Sequence, residues 1–197
     1  MNIDFASLKE TYNELASDVE CARKIDARVY PIDFIKRTYT RAFFAMVEGI
    51  IYQFKVVSLQ ANEHTKVFNQ NEILTLKEQA VKLKNNGTAA NTKAKLPLMP
   101  NIIFSINSLA KSLQITYSID KDGQGYEAMQ KAIKIRDKIT HPKNKQSTII
   151  DDADMKILKN ANIWFRDEVV KLFCLIYNSD WLPYYSKHIQ DELQSYR

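Results

Sequence analysis

The chain's 197 residues are 45% hydrophobic, with ten Tyr and nine Phe, enough to bury the core of one domain with or without a helical extension. Only four Gly and five Pro occur, which argues against a turn-rich β fold and for long helices. The formal charge of +5 permits a polyanionic partner without requiring one. Cys21 and Cys174 lie far apart with no pairing pattern and read as buried thiols of a reducing, cytoplasmic compartment. The first ten residues carry Asp4 and Glu10 without an apolar core, unlike a signal peptide. The lack of any run of about eighteen apolar residues argues against a membrane span.

From Asp4 to about Arg28, Phe5, Leu8, Tyr12, Leu15, Val19 and Ala22 recur at three- and four-residue steps, the pattern of an amphipathic helix. Pro31 breaks it, and Asp33 is placed to cap a second helix over Asp33–Leu59. That helix carries Phe34, Tyr39, Phe43, Phe44, Met46, Val47, Ile50, Ile51, Phe54 and Val57. Apolar around most of its circumference, it is expected at the centre of a bundle. A more polar third helix is expected near Val67 to Lys84, followed by a long irregular connector from Asn85 to Pro100. Helices over Asn101–Ile115 and Tyr126–Thr140 come next, separated by a loop containing Asp122-Gly123-Gln124-Gly125. Asp151 and Asp152 can cap a long helix through Tyr177, and Tyr184–Ser195 is expected to form a terminal helix. No segment alternates polar and apolar long enough to argue for a sheet. The chain therefore reads as all-α: an up-and-down helical bundle over residues 31–180, an N-terminal helix (1–30) packed on it, and a C-terminal helix (181–197).

The stretch Arg136-Asp137-Lys138-Ile139-Thr140-His141-Pro142 is the sharpest local signal. The residue before a proline is driven out of the α region, so the helix is expected to stop near Thr140. On an unbroken helix, residues five apart point about 140° away from each other. A helix that ends between them lets Arg136 and His141 turn toward a common point. A cation that keeps its proton, beside a group that titrates near neutral pH, suits chemistry on a phosphate ester.

These residues resemble the signature of the HEPN superfamily of all-helical domains, an arginine followed by a polar residue, a short spacer and a histidine. Here they are Arg136, Asp137, Lys138-Ile139-Thr140 and His141. The continuation His141-Pro142-Lys143 and the aromatic-rich Arg41-Ala42-Phe43-Phe44-Ala45-Met46-Val47-Glu48 are further similarities, and the likeness covers roughly Asp33 to Asn178. The resemblance implies a metal-independent endoribonuclease with no cofactor, acting on RNA as a homodimer. It also implies a toxin–antitoxin or phage-defence setting, with an antitoxin partner such as a nucleotidyltransferase. Other members of the superfamily are catalytically silent and bind RNA or a protein partner. In the catalytic case the ribose 2′-hydroxyl attacks the phosphate, leaving a 2′,3′-cyclic phosphate and a 5′-hydroxyl. His141 moves a proton and Arg136 holds the non-bridging oxygens. One histidine cannot readily carry both proton transfers, and a two-fold dimer pairing two Arg136/His141 couples supplies the second.

Asp137 can orient Arg136 or His141, or simply be an exposed helix carboxylate. Arg37, Arg41 and Glu48 share one stripe of the second helix, where an ion network within the helix is the simplest account. Support of the site by Glu48 or Arg41 is the alternative. Lys138, Lys143 and Lys145, with Lys93 and Lys95, are candidates for RNA phosphates. Tyr117 and Tyr126 could stack on bases, though core packing suits them better. His64, His141 and His188 are scattered, and neither cysteine has a ligand-like neighbour, so no metal site is expected. The segment from Asp120 is similar to a calcium loop but has Lys131 where the bidentate glutamate belongs.

Overall fold

The structure, a computed structural model, describes residues 5–178, so the expected helix over Tyr184–Ser195 lies outside the described residues. The fold is an all-α helical bundle with one small β-hairpin attached. Helix α1 (Phe5–Arg23) buries Leu8, Val19 and Ala22 against α2 (Ile32–Thr65), whose 34 residues make it the longest element. At 1.5 Å per residue α2 runs for about 50 Å. Its buried side chains, among them Phe43, Phe44, Met46, Val47, Ile50, Ile51 and Phe54, form the centre of the core. By length and composition α2 could also cross a membrane, contrary to the sequence expectation. A buried bundle helix has the same composition, and 56% of that apolar window lies inside the fold.

The ends of α2 differ from expectation in both directions. Asp33 is not its cap: the helix starts at Ile32 behind an extended Pro31, with no side-chain cap. Asp33 falls instead in the first turn, where a carboxylate complements the helix dipole. The helix continues past Leu59 because Ala61 is still buried on its inner face. It stops where Lys66 turns left-handed (φ 52°), and Asn62 accepts the amide N–H of Phe68 at 3.0 Å.

The expected third helix is much shorter than read. Helix α3 spans only Gln70–Leu76, opened by a capping box in which Asn69 and Glu72 bond each other's backbone amides. Glu78 then adopts φ 53°, and the chain turns into strand β1 (Gln79–Leu83), antiparallel to β2 (Ala89–Lys93). The register pairs Gln79 with Lys93 and Leu83 with Ala89. The tip is closed by Gly87 at φ 79° and by Asn86, whose side-chain oxygen accepts from both the amide and the hydroxyl of Thr88. The "irregular" stretch thus contains a strand. Helix α4 (Leu98–Ser112) starts three residues before Asn101, because Pro100 is tolerated within a first turn.

Helices α5 (Gln124–Thr140) and α6 (Asp152–Asn178) pack side by side, joined by a short 3₁₀ turn (Lys145–Thr148). Asp151 caps α6, accepting the amide of Asp154 at 2.7 Å, while Asp152 pairs with Lys36 of α2 at 2.8 Å. Gly125 lies so close to Trp164 that an added Cβ would come within 2.6 Å of it. Phe173 of α6 meets Tyr12 and Phe54 edge-on, locking α1, α2 and α6 together. Cys174 is half-buried, but Cys21 is exposed rather than buried, as it lies on the outer face of α1.

Candidate functional site

Pro142 ends α5 where expected. Thr140 is its last residue, and its hydroxyl bonds back to the Arg136 carbonyl at 2.8 Å. His141 follows with non-helical angles (φ −123°, ψ 64°), its amide still donating to the Asp137 carbonyl at 3.1 Å. Its imidazole is exposed.

Arg136 is held differently. Its guanidinium donates to Asp137 Oδ1 at 2.9 Å and to Glu48 Oε1 across the gap to α2, and it sits 6.0 Å from the centroid of the buried Phe44 ring. Glu48 therefore joins Arg136 rather than an ion network within α2. Arg37 donates to the Thr148 carbonyl at 3.4 Å, and Arg41 is exposed with no ion-pair partner among the described residues. Two of the five guanidinium N–H groups of Arg136 are used in these bonds, which leaves donors for an incoming anion.

Arg136, Asp137 and Glu48 line an open cleft of about 510 Å³ with Ile51, Glu78, Ile133 and the Leu96–Asn101 segment. Under Glu78 lies Lys55, a fully buried lysine of α2 whose ammonium bonds Glu78 at 2.5 Å and Asn101 at 3.3 Å. A buried ammonium has to be paired, and the left-handed turn at Glu78 is what carries its carboxylate to Lys55. Glu48, Glu78 and Asp137 outnumber Arg136 and Lys55, so this lining by itself is not an anion trap. His141 is not one of the described residues lining the cleft.

The candidate RNA contacts divide in two. Lys138 is already engaged, donating to the Ile149 carbonyl at 3.2 Å and lying 3.9 Å from Asp154. Lys143 and Lys145 are exposed, one in the loop after His141 and the other opening the 3₁₀ turn, whose start Asn144 and Ser147 fix through a reciprocal capping box. Both tyrosines pack inward. The Tyr117 hydroxyl donates to buried Glu168 at 2.5 Å, and burial together with that carboxylate pushes its pKa well above the ordinary phenol range. Tyr126 packs edge-on against Trp164. Asp120 spends its carboxylate on the amides of Asp122 and Gly123. No group of three or more His, Cys, Asp or Glu among the described residues could hold a metal ion.

Sequence reasoning missed the Lys55–Glu78–Asn101 cluster. Its one visible signal was a lysine between Phe54 and Val56 on an otherwise apolar helix face. Comparison with known proteins adds nothing to this geometry: no family model, curated protein or solved structure matches the chain.

Proposed function

We propose that this chain is a HEPN-like, metal-independent endoribonuclease in which Arg136 holds the scissile phosphate and His141 transfers the proton. The observation that carries this reading is the end of α5. It leaves an exposed imidazole just beyond the helix and, one turn back, a guanidinium oriented in an open cleft by Glu48 and Asp137. Catalysis by this pair takes a second copy of the chain, which brings another Arg136/His141 couple to the same phosphate. An exposed apolar cluster suits that contact: Val29, Tyr30, Ile32 and Phe34, with Tyr30 stacked on Phe34 at 5.5 Å. It adjoins the stretch of α2 where Lys36 and Arg37 tie to Asp152 and Thr148, downstream of His141 in the chain. The setting remains that of a toxin or defence nuclease restrained by an antitoxin such as a nucleotidyltransferase.

A second reading has its own support. Arg136 is paired within its own chain and His141 stands outside the cleft, the arrangement of a catalytically silent module that binds RNA or a protein. Incubation with total RNA in chelator separates the two. The nuclease reading expects cleavage by the wild type and none by Arg136→Ala or His141→Ala, both remaining folded by circular dichroism. RNA left intact by all three, or cut equally by them, would overturn it.

A further inference from the structure

We infer that the β1–β2 hairpin is a phosphate-binding arm that feeds single-stranded RNA into the Arg136 cleft, an inference that rests on the ribonuclease reading. Residues 77–95 hold five lysines (Lys77, Lys82, Lys84, Lys93 and Lys95) and one acid, a local net charge of +4. That acid is Glu78, whose carboxylate is turned inward onto Lys55. All five lysines are exposed, and none has an ion-pair partner among the described residues.

The hairpin's position gives this charge a direction. Glu78, just before β1, and Leu96, three residues after β2, both line the cleft that contains Arg136. The arm therefore springs from the cleft mouth, and four residues in each of its strands are exposed. Lysines on an edge strand can serve merely to block aggregation. That role does not require the five cations to stand where the chain leaves and rejoins the lining of one cleft. The cleft lining carries more carboxylates than cations, so an approaching phosphodiester needs attraction from outside it, and the arm is placed to supply it. A single strand suits the arm better than an RNA duplex, whose narrow major groove would not admit a two-stranded ribbon. The arm has no aromatic residue, so it would grip the backbone and not stack on bases.

The test uses full-length protein with His141→Ala, so that RNA is not consumed, and a fluorescein-labelled single-stranded RNA followed by anisotropy in chelator. Replacing Lys77, Lys82, Lys84, Lys93 and Lys95 by Gln should weaken binding about a hundredfold at low salt and flatten the log–log salt slope by about 3. The same charge change at Lys24, Lys66, Lys121, Lys156 and Lys159, which belong neither to the hairpin nor to the cleft lining, should cost no more than about threefold. Equal losses in the two variants, or none in the hairpin variant, would overturn the inference. So would the absence of RNA binding to the parent, or hairpin-dependent binding only to phosphatidylserine vesicles. These binding outcomes do not depend on cleavage, so failure of the arm and failure of the nuclease reading are seen separately.

Discussion

Glu48 on α2 and Arg136 on α5 share a charge-assisted hydrogen bond although 88 residues separate them in sequence. The pair is only partly buried, with side-chain exposures of 45% and 28%, so it orients the guanidinium more than it stabilises the fold. On the proposed ribonuclease reading, Glu48→Gln should therefore lower RNA cleavage by about tenfold, the cost of one hydrogen bond to a charged group. Unfolding in urea should move by less than about 1 kcal/mol. A large stability loss with unchanged cleavage would show that the contact is structural.

Lys55 and Glu78 should behave in the opposite way. Removing one partner leaves a charge inside the fold, so Glu78→Gln should cost about 3 kcal/mol in chemical denaturation. Lys55→Met combined with Glu78→Gln should recover most of that loss, since a thioether of similar volume fills the site without a charge to solvate. Additive losses in the double variant would refute this account of the cluster.

Gly125 tests the α5–α6 contact. In an exposed helix Gly→Ala would stabilise by about 1 kcal/mol. Against Trp164 the added methyl instead meets ring and Cβ atoms within 2.6–2.8 Å, so Gly125→Ala should destabilise by about 1–3 kcal/mol. A rise in thermal midpoint would contradict the packing.

The α3 cap should leave an acid signature. The Lys111 ammonium and the Asn69 amide hold the Glu72 carboxyl below its ordinary pKa. The folded state then binds fewer protons than the unfolded chain, and stability rises with pH through that interval. Its contribution is present above the unfolded-state pKa and is lost as pH falls through the lower folded value. Glu72→Gln should flatten the decline of stability on acidification below about pH 4.3, and an unchanged acid limb would refute the linkage.

The proposed dimer contact is open to direct measurement. Phe34→Glu combined with Tyr30→Glu places charges in the exposed apolar cluster and should shift sedimentation toward monomer, with cleavage lost in parallel. Unaltered sedimentation would overturn the assignment of a dimer contact to this cluster.

Helices α1 and α2 were legible because their three- and four-residue apolar spacing dictates which face is buried, whatever the partner. The stop at Thr140 was legible for an equally local reason, the steric restriction that Pro142 imposes on His141. The hairpin was not, since Ile73, Leu74, Leu76, Val81 and Leu83 fit a helical stripe as readily as a short helix and a strand. The left-handed Glu78 decides between them, and it takes that conformation beside a buried lysine 23 residues earlier in the chain. Only the tertiary structure could decide the environment of Arg136, because Glu48 reaches it by helix packing and not by any spacing written in the sequence. Local sterics and periodicity thus determined the long helices and the stop at Thr140. Long-range pairing of charges, which forms only once those elements pack, decided what surrounds the guanidinium.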